Sequence, residues 1–431
     1  MKILTNSLFI VFLLFIFSCS SENTDSIEEE SVEIKSPNIL LVIADDLGKD
    51  AMPNYSEGVI KPNMPIVQNL INTGITFDNL WSYSVCSPTR ASIITGKYGN
   101  KSGVLEVGDA ISTSETSLQK YINTNALQTY ATAIIGKWHL SSNASDPITL
   151  GVDYFAGILK GAIPDYYNWS LTENGIASTT TEYATTKLTD LAINWAQNQT
   201  KPWFLSLAYN APHTPFHLAP TNLHSQGSLS TSAADINANP IPYFMSAIEA
   251  MDTELGRFLS SLTTEERENT LIIFIGDNGT PSKVAQSPYS KSRVKGTLYQ
   301  GGINVPMVIS GKGVERFAQR ESALIHTTDL FSTIATIAQA SASEINNSKS
   351  FYSLFSNENA AGRAYVYSED GASYTIRNDT YKLLKFDNGK EEFYQILNDA
   401  YEETNLMENI LSSEASANKI SLEEEANSIR N

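Results

Sequence analysis

Asn38–Gly48 reads NILLVIADDLG, and Thr270–Gly279 reads TLIIFIGDNG. Each is an apolar run that ends in carboxylates or amides and a glycine. An apolar run without polar alternation fits a strand buried on both faces, the habit of a mostly parallel sheet with helices on either side. TAIIGKWHL and KPWFLSLAYNAPHTPFH are further runs of this kind, again ending in polar residues. In such sheets ligands bind beyond the carboxyl ends of the strands. Four strands here deliver Asp, Asn, Lys or His to that one edge. The expected fold is α/β, with a large, mostly parallel sheet flanked by helices.

Between the strands, MPIVQNLINTG has apolar residues at helical spacing and a glycine stop, and IPYFMSAIEAMDTELGRFLSSL is a longer helix. TTDLFSTIATIAQA is another, in which Asp329 reads as a cap or helix-surface residue. From about Arg363 the texture changes. AYVYSEDG, ASYTIRND, YKLLKFDNG and KEEFYQILND read as short strands joined by Asp, Asn and Gly turns. The chain thus divides into a main domain over 37–345, a small antiparallel subdomain over 346–411, and a polar, frayed tail over 412–431.

The composition is that of a globular protein, with 42% hydrophobic and 18% charged residues in 431. A net charge of −18 without a basic stripe argues against nucleic acid as a partner. Leu8–Phe17, LFIVFLLFIF, is too short to span a bilayer and suits the core of a signal peptide. Ser18-Cys19 after it resembles a bacterial lipobox. The expectation is a lipoprotein signal peptide over 1–18, a lipid anchor on Cys19 and an acidic, flexible linker over 19–36. The protein would then be exported and tethered in the periplasm or at the outer-membrane surface. Acylation of Cys19 leaves Cys86, the other cysteine, without a disulfide partner in its own chain.

The polar strand ends suggest chemistry. Asp45, Asp46, Asp277 and Asn278 form an all-oxygen nest, which favours Ca²⁺ or Mg²⁺ over Zn²⁺. Arg90, Lys137, His139, His213, His217 and Lys295 supply a local basic island. HTPFH has the spacing of a helical zinc pair, but Pro212 and Pro215 oppose a helix there and no Glu occupies the catalytic place. Cys86 stands before Ser87-Pro88, and SPTRASIITGKY can run as a helix to Gly96. Residue 86 then sits at a helix entrance, where free N–H groups favour negative charge, with Arg90 one turn on.

CSPTRASIITG, Cys86–Gly96, resembles the C-x-P-S/A-R-x-x-L-x-T-G signature of the type I, formylglycine-dependent sulfatases of the alkaline phosphatase superfamily. PNILLVIADDLG resembles that family's opening strand, GKWHL its Lys-x-His loop and APHTPF its second His loop. GDNG resembles its second metal segment, KGTLYQGGINVP its late Lys motif and EEFYQILNDAYEETNL its closing segment. These motifs run in order from Pro37 to Leu406. Thr89 stands where Ser or Ala is commoner, and Ile93 where Leu is.

The resemblance implies that a separate maturation enzyme oxidises Cys86 to formylglycine, whose hydrate attacks sulfur and later expels sulfate. It implies Ca²⁺, with Mg²⁺ as the alternative, on Asp45, Asp46, Asp277, Asn278 and residue 86. Arg90 would steady the nucleophile and the metal ligands, and Lys137 and Lys295 would clamp sulfate oxygens. His213 would be the acid for the leaving alcohol and His139 the base for elimination. Lys97 reads as structural. The expected substrate is a sulfate ester on a carbohydrate. Tyr166, Tyr167 and Trp169 in GAIPDYYNWSL either stack on sugar rings or pack against the sheet. The rival readings are a phosphonate monoester or phosphodiester hydrolase of the same superfamily, and a non-enzymatic glycan-binding lipoprotein.

Overall fold

A computed structural model describes residues 36–340 and 344–431. The signal peptide, Cys19 and all but the last residue of the acidic linker lie outside the described residues. The main sheet contains β1 (Asn38–Ala44), β2 (Gly74–Trp81), β3 (Ala131–Lys137), β4 (Tyr154–Ile158), β5 (Trp169–Glu173), β6 (Ile176–Thr180), β7 (Trp203–Tyr209), β8 (Thr270–Gly276), β9 (Asn304–Gly311), β10 (Gln319–Glu321) and β11 (Ile325–His326). Their order is β10-β2-β9-β8-β1-β7-β3-β4-β5-β6, with β11 also on β2. The five strands β8, β1, β7, β3 and β4 run parallel. β9 runs antiparallel between β8 and β2, and β5 and β6 extend the other edge as a hairpin.

Both faces of the sheet are covered, which is why the central strands carry no polar alternation. Leu40, Val42 and Ala44 of β1 pack with Val67 and Leu70 of α1 (Pro65–Asn72) and with Phe244, Met251 and Leu255 of the helix Ile241–Ser261. Ile39, Leu41 and Ile43 point the other way, onto Ile93 of α2 (Cys86–Thr95) and Leu330 and Phe331 of the helix Asp329–Ile337. Each such buried side chain contributes about 1.5–3 kcal/mol of transfer free energy. The period-two alternation of β1 therefore aims the next odd residue, Asp45, at the α2 side.

The strands Val366–Asp370, Ser373–Arg377, Lys382–Lys385 and Glu391–Tyr394 form the small antiparallel sheet. The tail differs from the expectation. Ser413–Arg430 is an 18-residue helix, not a frayed end. Ser412 Oγ accepts the Ala415 N–H and caps it. Ala415, Leu422 and Ala426 are buried against Ile376, Leu383 and Phe393. Asp329 is not a surface residue either. It is buried in an ion pair with Arg363 at 2.5 Å and accepts the His326 N–H. Among the described residues no helix is long and apolar enough to cross a membrane.

Candidate active site

Four strand ends and one helix entrance meet at a single point. Asp45 and Asp46 follow β1, and Asp277 and Asn278 follow β8, which pairs with β1 in register. Successive residues of a strand point to opposite faces, so two adjacent carboxylates reach one site only if the backbone turns. Asp46 makes that turn with φ 70°, a left-handed conformation that Asp tolerates better than most residues. Its N–H donates to Asp277 Oδ1 at 3.0 Å. His139, just past β3, turns the same way with φ 55°.

α2 begins at Cys86, as the Pro88 position predicts, and ends where Gly96 takes φ 64°. Thr89, one of the two departures from the resembled signature, braces the entrance: its Oγ1 accepts the Tyr83 N–H at 3.1 Å and donates to Val85 O at 3.2 Å. Cys86 Sγ lies 3.4 Å from Asp45 Oδ1. Ligand atoms of Asp45, Asp46, Cys86 and Asp277 all lie within 4.8 Å of one another.

Three cations surround these carboxylates. Lys137 Nζ is 2.6 Å from Asp45 Oδ2, Arg90 Nη2 is 2.8 Å from Asp277 Oδ2, and Lys295 Nζ is 2.5 Å from Asp46 Oδ1. Arg90 also donates to Lys137 O, so helix and strand are tied together. His213 Nε2 stands 3.7 Å from Asp46 Oδ2. Burial opposes the charge on Asp45, but Lys137 and then His213 outweigh it and hold its carboxyl below the usual range. Burial pushes the Cys86 thiol well above its usual value, so the unmodified side chain is a neutral thiol and a poor nucleophile. Burial, with Lys137 and Arg90 nearby, lowers His139 to about 3, leaving a neutral imidazole.

The donor set fits a hard divalent cation. Asn278 Nδ2 donates to Asp46 Oδ1 at 2.8 Å, while its buried Oδ1 has no hydrogen-bond partner. A buried amide oxygen without a donor calls for a partner, and beside three carboxylates a cation is one. The one soft ligand in the cluster is the Cys86 sulfur. An oxygen-bearing side chain at 86 makes the set all-oxygen, as Ca²⁺ prefers.

Other residues fall outside the site. Lys97 pairs with Glu115 at 2.7 Å. The His217 ring stacks on Tyr166 at 3.8 Å and its Nε2 bonds Tyr183 Oη, so it supports the wall. Tyr166 and Trp169 are buried, which leaves Tyr167 as the one exposed aromatic of that loop. Tyr166 Oη donates to the carbonyls of Asn210 and His213 and so buttresses the His213 loop.

Sequence reasoning missed the supports. Thr280 Oγ1 donates to Asp50 Oδ1 and accepts the Gly48 N–H at 3.1 Å, locking the two acidic loops together. The loop bearing Lys295 is gripped by the small sheet. Buried Lys382 and Glu402 pair at 2.5 Å; Lys382 Nζ donates to Leu298 O at 2.7 Å, and Glu402 Oε2 accepts the Gln300 N–H at 2.7 Å. Arg293 donates to Glu402 O. Asn210 was also missed, although it ends β7 just as Asp45 ends β1.

Comparison with known proteins identifies the family. The family model described as Sulfatase matches residues 37–340, and the chain belongs to the sulfatase family. It is 27% identical over 423 residues to arylsulfatase G of Rattus norvegicus, covering 82% of this chain and 76% of that protein. It is 34% identical over 197 residues to N-acetylglucosamine-6-O-sulfatase of Bacteroides thetaiotaomicron, covering 44% of this chain and 33% of that one. The match to the uncharacterized sulfatase YdeN of Escherichia coli spans 58% of that protein's length. Ps i-CgsB, solved in complex with k-i-k-neocarrahexaose, superposes with a TM-score of 0.75 at 25% identity, over 90% of this chain and 92% of the other.

Proposed function

We propose that this protein is a sulfuric ester hydrolase that removes sulfate from a carbohydrate, with formylglycine made from Cys86 as nucleophile and Ca²⁺ as cofactor. The observation that carries the reading is the convergence of Asp45, Asp46, Cys86 and Asp277 within 4.8 Å, ringed by Arg90, Lys137 and Lys295. The names of the relatives, including arylsulfatase G and N-acetylglucosamine-6-O-sulfatase, support sulfate esters and sulfated sugars as the substrate class.

Asp45, Asp46, Asp277 and Asn278 hold the cation. When bound, Ca²⁺ makes a hydroxyl on residue 86 more acidic and gathers charge growing on sulfate oxygens. The three carboxylates are matched by three cations, so a bound divalent ion leaves the pocket net positive and suited to an anionic ester. Lys137 and Lys295 contact the sulfate oxygens, each supplying about 2–4 kcal/mol in the transition state. Arg90 holds Asp277 and steadies the nucleophile. His213, 15% exposed and beside Asp46, faces the leaving alcohol and donates its proton. His139, neutral and recessed, accepts a proton when sulfate is expelled.

The test is sulfate release from an aryl sulfate and a panel of sulfated oligosaccharides, together with the mass of the residue-86 peptide after expression with a maturation enzyme. Faster turnover of an aryl phosphate diester, or an unmodified and fully active Cys86, would overturn the reading. Export and the Cys19 anchor belong to the same proposal. Labelling with a tagged fatty acid, lost in Cys19→Ser, checks them.

A further inference from the structure

Among the described residues, Arg90 Nε, His139 Nδ1 and Asn278 Oδ1 of the machinery above lack hydrogen-bond partners, as do single atoms of residues outside it such as Asn100 and Gln119, but Asn210 alone has both of its side-chain polar atoms unpaired. Asn210 is 3% exposed. It follows β7 directly, and the pairing of Ala44 with Tyr209 places it opposite Asp45. The Asp45 N–H donates to the neighbouring Ala211 O at 3.1 Å. Strand alternation sets Asn210 on the same face of β7 as Ser206 and Ala208. Asp45, its neighbour in register, is held by Lys137 at 2.6 Å and stands 3.9 Å from Arg90. The backbone of Asn210 is fixed, because its carbonyl accepts the His213 N–H at 2.9 Å and the Tyr166 hydroxyl at 2.8 Å. Its amide alone is left unpaired.

An unpaired buried amide costs about 1–3 kcal/mol for each polar group, and native structures avoid the situation unless something fills it. We infer that Asn210 is a substrate-contacting residue whose Nδ2–H donates to an oxygen of the bound sulfate group. This rests on the sulfatase reading above. A sulfate ester at neutral pH offers only acceptors, so a neutral donor adds geometric selection to the charge that Lys137 and Lys295 supply, without further charge. It favours a tetrahedral oxyanion placed between β1 and β3.

The experiment compares matured wild type, Asn210→Ala and Asn210→Asp in turnover of one aryl sulfate, in inhibition by inorganic sulfate, and in thermal unfolding. For Asn210→Ala, kcat/KM should fall about 100-fold, the cost of losing one oxyanion donor. Sulfate inhibition should weaken with it, and the melting temperature should hold or rise because an unpaired amide has been removed. Asn210→Asp, which places an anion against sulfate, should lose at least as much. Turnover of Asn210→Ala within about threefold of wild type overturns the inference. So does a fall of more than about 5 °C in melting temperature, which is the mark of a structural amide. A matured wild type that releases no sulfate overturns the sulfatase reading itself, and this inference with it.

Discussion

Arg90 Nη2 and Asp277 Oδ2 meet at 2.8 Å with both side chains buried, joining α2 to the end of β8. Removing the guanidinium leaves a buried carboxylate uncompensated, which costs about 3–5 kcal/mol. Arg90→Met should therefore unfold at markedly lower urea than wild type. Excess Ca²⁺ should recover part of the loss, since the cation supplies the missing positive charge. Equal urea midpoints for the two proteins would show that the pair contributes nothing.

On the proposed mechanism Cys86 supplies the nucleophile and little of the stability. Cys86→Ala should release less than about one-thousandth of the wild-type sulfate, as when the nucleophile of an enzyme is deleted. Its melting temperature should stay within a few degrees, because one small buried atom group is lost. Cys86→Ser should be nearly as inactive, since an ordinary alcohol lacks the second hydroxyl needed to expel sulfate. Sulfate release by ion chromatography and calorimetry of the same samples check both statements.

Ca²⁺ should stabilise the fold. A ligand at about 100 times its dissociation constant adds about 2.7 kcal/mol to a native state that alone binds it. The melting temperature should rise with Ca²⁺ and return with chelator. Asn278→Ala, which removes the unpaired buried oxygen, should lose most of that rise.

His139 sets a pH dependence of stability. Its folded value of about 3 lies below the ordinary 6.5, because burial, Lys137 and Arg90 disfavour the imidazolium. Between those values the unfolded chain binds the extra proton and the folded chain does not. Stability is therefore lost as pH falls from about 6.5 toward 3, by no more than about 1.4 kcal/mol per pH unit. His139→Gln removes this term. Urea midpoints of wild type should fall faster on acidification than those of the variant, and parallel curves would refute the assignment.

The C-terminal helix is part of the fold. Leu422 is fully buried against the small sheet, and Leu422→Ala should cost about 2–5 kcal/mol in urea unfolding. A frayed tail would give no change.

The apolar runs of β1, β3, β7 and β8 were legible because strands buried on both faces cannot hide their composition, and the convergence of carboxylates followed from their polar ends. The C-terminal helix was not. Its buried stripe of Ala415, Leu422 and Ala426 is narrow, two of the three alanine, and set among Ser, Glu and Asn. Lys382 and Glu402 were equally silent, since each alone reads as a surface charge and only the fold buries them together. Asn210 drew no reading of its own, and its unpaired state needs three dimensions to be seen. The aromatic loop left stacking on a sugar and packing against the sheet both open: Tyr166 and Trp169 are buried as packing, and Tyr167 is exposed.

The clamp of Lys382 and Glu402 on Leu298 and Gln300 gives the molecule an order of completion. Each residue of the proposed cation and sulfate pocket is encoded before position 300, yet the wall that carries Lys295 is fastened from beyond position 380. A ribosome that stopped at residue 345 would have written the whole active site and assembled only part of it.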